Sequence, residues 1–206
     1  MGYKTVEGDA KASFTEKKSE FIGYVRHTAT EREALDFIAE IRSMHRKARH
    51  NCYAYILREN NISRHSDDGE PSGTAGAPIY DVLSHEGLCD VSVVVTRYFG
   101  GILLGTGGLV RAYTKAAQDA VKNAVILDIE TAVRLSLSLE YSCYGRIGRI
   151  ITEFDARTEN EEFGAGVDVT LYVREENVRA LEEKLTDACD GKIIIKNEGV
   201  FEYNFG

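Results

Sequence analysis

The sequence contains few of the features that mark linkers, membrane spans or export signals. It has only two prolines, Pro71 and Pro78, so it contains no proline-rich linker. No apolar run approaches the roughly 20 residues that a membrane-spanning helix needs. Residues 1–7 lack the apolar core of a signal peptide, and Val6 stands where a myristoylation site has Ser or Thr. We therefore expect a cytoplasmic protein without a membrane partner.

Cysteine pairs of the kind that bind zinc or form redox dithiols are also missing. The four cysteines, Cys52, Cys89, Cys143 and Cys189, are far apart, and none belongs to a Cys-x-x-Cys motif. Each lies among apolar neighbours, which is typical of small buried residues in a reducing compartment. The sequence accordingly predicts no cofactor.

Positive charge is scarce, and its distribution is uneven. The 206 residues carry 25 basic and 33 acidic side chains, a net charge of −8. Residues 1–130 hold 16 basic and 18 acidic residues, whereas residues 131–206 hold 9 and 15. This balance weighs against nucleic-acid binding over the whole surface, because neutralising phosphates requires clustered cations. It leaves room for a local basic patch in the first part only.

Hydrophobic periodicity in the second part predicts a ferredoxin-like domain. Apolar and polar residues alternate over 133–141 and 167–173, which indicates half-buried strands. Residues 147–154 and 178–189 have helical spacing instead, and residues 192–205 close as a strand. With the short segment that ends at the flexible Phe163–Gly166 connection, the order is β-α-β-β-α-β. We expect a four-stranded antiparallel sheet with two helices on one face.

The first part is less regular, but it also mixes strands and helices. Strands are predicted at Glu20–His27, Asn51–Leu57 and Asp90–Tyr98. One helix follows the capping box Thr30–Glu33, and another runs from about Gly107 to Val125. The polar stretch Glu59–Ala77 is expected to be a loop, and loops of this length commonly carry function. Length and pattern together predict an α+β chain with two domains, residues 1–130 and 131–206.

A glycine-rich segment links the last predicted strand of the first part to its last helix. It lies between Arg97 and Arg111 and contains Gly100, Gly101, Gly105, Gly107 and Gly108. Such a segment before a helix presents free N–H groups and the positive end of the helix dipole. It lacks the Gly-Lys-Ser/Thr of a Walker A loop and the third glycine of a Rossmann fingerprint. Two interpretations stay open: an anion site that includes both arginines, or a tight structural turn.

Three carboxylates, Asp67, Asp68 and Glu70, occur within four residues of the polar stretch. Carboxylates so close together can bind Mg²⁺ or act as general acid and base. Their spacing does not match an EF-hand loop, and a solvated turn built on Asp68, Gly69 and Pro71 is favoured. We therefore predict no metal, and keep the three carboxylates as candidates for a polar ligand pocket.

Basic residues cluster where the first helix is expected to end. The cluster comprises Arg42, His45, Arg46, Lys47, Arg49 and His50, and it precedes Tyr53 and Tyr55. Cations stabilise a helix C-terminus, but six such residues exceed what this requires. We predict a nucleic-acid or phosphate patch, with Tyr53 or Tyr55 as a stacking surface. His50 and Cys52 also share one strand face, as a base and a nucleophile would, although a buried cysteine beside an orienting histidine is favoured.

Four motifs resemble the YigZ/IMPACT family. They are Lys18–Ile22, His50–Tyr55, Ser66–Gly76 and the run from Val95 to Tyr113. The resemblance implies a first domain with the fold of the second domain of ribosomal protein S5. It implies a second domain like a late ferredoxin-like domain of elongation factor G. Eukaryotic members regulate translation through a kinase-activating partner, by way of an extra domain that is absent here.

Three hypotheses of function result. The first is an RNA- or ribosome-associated factor that modulates translation without catalysis, indicated by the basic cluster and the glycine-rich segment. The second is an enzyme that acts on a phosphorylated small molecule, with the three carboxylates, Arg97 and the glycines around one pocket. The third is protein docking through the acidic second domain. A concave pocket favours the enzyme, and a flat basic stripe favours RNA.

Overall fold

The computed structural model describes residues 2–206 and divides them into two compact units. The first unit is Tyr3–Leu127, and the second is Asp128–Gly206 together with Gly2. Both units combine strands and helices, which confirms the predicted α+β class. Within residues 2–206, no helix has the length and apolar character needed to cross a membrane.

The first unit contains more regular structure than the sequence patterns indicated. Its elements are β1 (Tyr3–Glu7), β2 (Asp9–Glu16), β3 (Ser19–His27), α1 (Glu31–Met44), β4 (His50–Leu57), β5 (Ile62–Ser66), α2 (Gly76–His85), β6 (Val91–Tyr98) and α3 (Thr106–Lys122). The prediction of an unbroken loop over Glu59–Ala77 is wrong, because β5 pairs with β4 there. This edge strand is polar and mostly exposed, so it carries no hydrophobic alternation.

One antiparallel sheet organises the first unit. Its strand order is β2-β3-β6-β4-β5. Helices α2 and α3 pack on one face through residues such as Val93 and Val95, and α1 packs on the other face against Val94. Since both faces are covered, the central strand β6 is buried at every position from Val91 to Arg97 and shows no alternation of buried and exposed residues. This burial brings the guanidinium of Arg97 into the interior.

The backbone of α3 lies unusually close to β3. A Cβ atom added to Gly23 would lie 2.4 Å from the carbonyl oxygen of Ala116 and 3.1 Å from the Cβ of Ala120. The buried face of α3 is rich in alanine, which permits this approach. The contact fixes the height of α3, and therefore of its N-terminus, over the sheet.

The second unit has the predicted β-α-β-β-α-β order. Its elements are β7 (Val125–Leu139), which begins just before the unit boundary, α4 (Tyr141–Glu153), β8 (Arg157–Phe163), β9 (Val167–Arg174), α5 (Val178–Ala188) and β10 (Ile194–Asn204). The four strands pair antiparallel in the order β10-β7-β9-β8. Alternate residues of β7 and β9, including Leu135 and Leu171, form one core with α4 and α5. The ferredoxin-like prediction is confirmed for this unit.

We predict that Gly23→Ala destabilises the first unit by about 1–3 kcal/mol, the usual cost of overpacking. The added methyl group has to displace the backbone of α3, which cannot move without disturbing the core. Gly107→Ala is the matched control, since its Cβ meets only the tip of the Arg111 side chain at 3.6 Å. This change within α3 should be neutral or stabilising by up to about 1 kcal/mol. Urea denaturation measures both, and equal effects would contradict the close packing.

Candidate functional site

A concave pocket opens at one end of the first sheet. The chain passes this end where β3 begins, where β6 ends and where β4 begins. The pocket has a volume of about 400 Å³, which lies within the range of small-ligand sites. Its walls are Arg49, His50, Glu70, Pro71, Arg97, Phe99, Leu103, Leu104, Gly105, Thr106 and Leu109. The polar stretch and the glycine-rich segment therefore line one cavity, together with two residues of the basic cluster.

A buried ion pair forms the interior side of this pocket. The side chains of Glu70 and Arg97 are 4% and 6% exposed, and Oε1 of Glu70 accepts from Nη1 of Arg97 at 2.7 Å. The same oxygen accepts from the hydroxyl of Tyr113 on α3 at 2.8 Å. Burial raises the pKa of Tyr113, so this hydroxyl stays protonated and donates. We call these three residues the Glu70–Arg97–Tyr113 cluster.

The guanidinium of Arg97 is not fully satisfied. Its Nη2 contacts the hydroxyl of Ser19 at 3.4 Å, and its Cζ lies 5.4 Å and 5.5 Å from the ring centres of Phe21 and Phe99. Its Nε is buried and has no hydrogen-bond partner. A buried donor without a partner costs about 1–3 kcal/mol unless a ligand or water supplies one. Arg97 therefore keeps one buried donor that no neighbouring residue uses.

His50 is held in one orientation at the rim. Its Nδ1 lies 2.9 Å from the carbonyl oxygen of Asp68. A carbonyl oxygen can only accept, so Nδ1 carries the hydrogen and Nε2 of the neutral ring is an acceptor. Cys52 does not act with His50, because its thiol donates to the carbonyl oxygen of Asp67 at 2.9 Å. Burial raises the pKa of Cys52, which keeps it a thiol and disfavours a nucleophilic role.

The three carboxylates have different roles. Asp67 accepts backbone N–H groups from Gly73, Ala75 and Gly76 at 2.8–2.9 Å, and so caps the start of α2. Burial alone would raise the pKa of Asp67, but these donors outweigh it and hold the pKa below its usual value. Asp68 is occupied by other partners, and only Glu70 lines the pocket. No group of three or more acidic, histidine or cysteine side chains within residues 2–206 is arranged to hold a metal.

Asp68 joins the polar stretch to the basic cluster. One carboxylate oxygen accepts from the backbone N–H of Asn51, and the other from Nη2 of Arg42, both at 2.7 Å. Arg42 thus forms an ion pair, while its side chain stays 45% exposed. Tyr53 is half-buried, and its ring stacks on that of Tyr55 with centres 6.1 Å apart.

The glycines divide into two groups. A Cβ on Gly100 would fall 2.0 Å from the backbone of Lys18, so this glycine allows two loops to touch. Gly101 and Gly105 have φ values of 84° and 72° and face open space. Gly107 and Gly108 lie inside the first turn of α3, where the backbone is helical. The glycine-rich segment therefore forms a turn and then the start of a helix. Because Gly105 is the N-cap, the first amides of α3 have no side-chain cap.

Exposed cations surround this end of the sheet. Lys17 and Lys18 form a two-residue hairpin turn with φ values of 46° and 64°, a conformation that normally selects Asn or Gly. The backbone of Lys18 touches Gly100. Arg46, Lys47 and Arg49 follow α1, and Arg111 lies beside Gly107. We call the six the basic end, and their side chains form no ion pair or hydrogen bond with the residues that the structure describes.

Sequence reasoning missed Ser19 and Tyr113 as site residues. Tyr113 lies on the alanine-rich face of α3, where a hydroxyl among so many alanines is a signal of a buried partner. Ser19 accepts from the backbone N–H of Gly100 at 3.1 Å as well as contacting Arg97. It follows two lysines in a turn and lies within the family motif Lys18–Ile22, but only the fold brings that motif to the pocket.

Fold and pocket define a two-domain α+β protein with a ligand-sized cavity in its first unit, and comparisons identify its family. A family model described as the Impact N-terminal domain matches residues 17–121, and one described as a domain of unknown function (DUF1949) matches residues 137–192. IMPACT family member YvyE of Bacillus subtilis is 38% identical over 202 residues, which cover 98% of this chain and 93% of that protein. The chain belongs to the IMPACT family, which confirms the resemblance in the motifs.

Two further relatives agree with this membership. IMPACT family member YigZ of Escherichia coli is 34% identical over 180 residues, 86% of this chain and 88% of that protein. A crystal structure of a hypothetical protein superposes with a TM-score of 0.60 at 30% identity, and covers 94% of this chain and 96% of its own. The similarity therefore extends over both units.

We predict that Arg97→Met destabilises the protein by about 3–5 kcal/mol, because it leaves the carboxylate of Glu70 buried without a cation. Combining it with Glu70→Gln should recover part of this loss, since the double variant buries no charge. Urea denaturation of the single and double variants measures the coupling. A loss below about 1 kcal/mol in Arg97→Met would mean that the pair is solvated.

A second prediction concerns pH. Asp67→Asn should lower stability by about 1 kcal/mol at neutral pH, the typical value of a helix cap. Because the folded pKa of Asp67 lies below the unfolded value of about 3.9, its contribution is lost as pH falls through that range. The difference from wild type should shrink below about pH 4. Asp81→Asn, an exposed change on the same helix, is the control and should show no such convergence.

Proposed function

We propose that this protein binds RNA through the basic end and modulates translation as an RNA- or ribosome-associated factor. The observation that carries the proposal is charge: six exposed, unpaired cations gather at one end of a unit within a chain of net charge −8. Most other arginines near carboxylates are already paired, including Arg26, Arg58 and Arg134. Unpaired cations gain most from phosphates, since no intramolecular partner has to be displaced.

The shape of the basic end supports contact with a flexible strand. Five of its cations lie on turns and loops, Arg111 lies near the start of α3, and Arg49 lines the pocket. Exposed apolar residues, Phe99 and Leu103, lie between them and offer surfaces to unstacked bases. The exposed carboxylates of Glu16 and Glu20 on the neighbouring hairpin offset only part of the positive charge. Single-stranded or looped RNA fits this arrangement better than a regular duplex.

An enzyme acting on a phosphorylated small molecule is the second candidate. It is favoured by the concave pocket, which brings His50, Glu70 and Arg97 together. Docking through the second unit has less support, because several of its acids are engaged on its own surface. Arg134 pairs with Glu159 and Glu198, and Arg174 pairs with Glu130 and Asp155.

We predict that the triple variant Arg46→Gln, Lys47→Gln, Arg49→Gln weakens binding to single-stranded RNA and to ribosomes. The slope of log affinity against log salt should become shallower by about 2, because three phosphate contacts are lost at about 0.7 each. Fluorescence anisotropy over a salt series and ribosome co-sedimentation measure the two effects. Arg42 is left unchanged, since its loss would free Asp68.

A charge-matched control separates the site from net charge. Lys122→Gln, Arg149→Gln and Lys192→Gln together remove three exposed cations outside the basic end. This control should keep the wild-type affinity and slope. Equal losses in both triple variants, or a wild-type affinity that does not depend on salt, would contradict the proposal.

A further inference from the structure

We propose that the pocket beside the basic end binds a nucleoside phosphate, either as one unstacked nucleotide of an RNA strand or as a free mononucleotide. The inference rests on the proposed function for the first source only. It assigns a ligand class to a cavity that presents hydrogen-bond donors, hydrogen-bond acceptors and an exposed apolar wall. These features match an anion, donor groups and a flat apolar ring on the ligand.

Two independent groups in the cavity wall indicate that the ligand carries an anion. The first amides of α3, a helix of 17 residues, have no intrahelical acceptor, and the N-cap Gly105 provides no side chain to cap them. Gly105 and Thr106 line the cavity, so these amides and the positive end of the helix lie at its wall. Arg97, 94% buried at its side chain, lines the same cavity with a buried Nε that has no partner. Arg49 adds an exposed cation at the rim.

Two acceptor atoms in the cavity indicate that the ligand carries hydrogen-bond donors. Oε1 of Glu70 already takes two hydrogen bonds, whereas Oε2 has no partner among the residues that the structure describes. The contact of His50 Nδ1 with a carbonyl oxygen selects the tautomer in which Nδ1 donates, and in that tautomer Nε2 is an acceptor. A ligand that carried only an anion would leave both acceptors unmatched. Ribose hydroxyls and the N–H groups of a base supply such donors.

The remaining wall is apolar and includes an aromatic ring. Phe99 and Leu103 are 46% and 81% exposed, and Leu104, Leu109 and Pro71 complete the surface. An exposed leucine and phenylalanine at the mouth of a polar site are costly in water, and a base stacked on them removes this area from solvent. A bare phosphate or sugar phosphate would not use this wall. An anion, several donors and a flat ring together describe a nucleoside phosphate.

The test uses the ribonucleoside 5′-monophosphates of adenine, cytosine, guanine and uracil, together with the nucleosides, inorganic phosphate and a mixed-sequence single-stranded RNA. Titration calorimetry follows the small molecules, and fluorescence anisotropy follows the RNA. Phe99→Ala and Leu103→Gln change the exposed wall without changing net charge. The Phe99 ring also lies 5.5 Å from Cζ of Arg97, so Leu103→Gln is the variant that leaves the surroundings of the buried ion pair intact. Phe163→Ala and Ile194→Gln, at exposed positions of the second unit, are the matched controls.

We expect at least one mononucleotide, or the RNA, to bind about ten- to a hundredfold more weakly to the two wall variants, the range for losing one base stacking contact. The controls should bind as wild type, and nucleoside or phosphate alone should bind more weakly than the mononucleotide. Loss for the mononucleotide identifies a free ligand, and loss for RNA alone identifies a nucleotide of a strand. If neither ligand depends on Phe99 or Leu103, the inference is overturned.

The outcome is separable from that of the proposed function. RNA binding that is weakened by the triple variant of Arg46, Lys47 and Arg49 but is unchanged in the wall variants overturns the pocket ligand and leaves RNA binding standing. Mononucleotide binding that needs the wall, without any RNA binding, supports the pocket ligand and overturns the RNA proposal.

Discussion

The buried pair of Glu70 and Arg97 is the interaction on which the functional end of the first unit depends. Neither charge is tolerable alone at 4% and 6% side-chain exposure, so each fixes the position of the other. Glu70 belongs to the polar stretch, Arg97 to β6, and Tyr113, the third member, to α3. Through this pair a loop that would otherwise be solvated is drawn onto the sheet, and it becomes one wall of the pocket.

The same pair explains why the cavity is polar at its interior side and apolar at its mouth. Burying an ion pair saturates some of its hydrogen-bonding groups and leaves others without a partner, as with the buried Nε of Arg97. The glycines contribute by a different route, because Gly23 and Gly100 allow backbones to come into contact where any side chain would separate them. The ion pair thus determines which polar groups line the pocket, and the close backbone contacts determine its dimensions.

The parts of this structure that sequence patterns predicted are those with a single dominant periodicity. The second unit alternates regularly because one face of its sheet is covered and the other is open, so strands and helices could be located from Leu135 or Leu181 and their neighbours. In the first unit, β6 is covered on both faces and the edge strand β5 is mostly exposed, and both lose the alternation. Among the candidate residues, the motifs located Glu70, Arg97 and His50. Which of them line the pocket depends on long-range pairing, as the separate partners of Asp67, Asp68 and Arg42 illustrate.

Asp68 connects two candidate binding surfaces of the first unit, the basic end and the pocket. Its carboxylate holds Arg42 at the end of α1, its backbone carbonyl holds the ring of His50, and its φ of 43° is a left-handed conformation that few residues adopt. The segment that follows Arg42 carries half of the basic end, while His50 faces the cavity. A ligand on one surface that shifted this residue would therefore change the free energy of binding at the other, and thermodynamic linkage would make that effect equal in both directions.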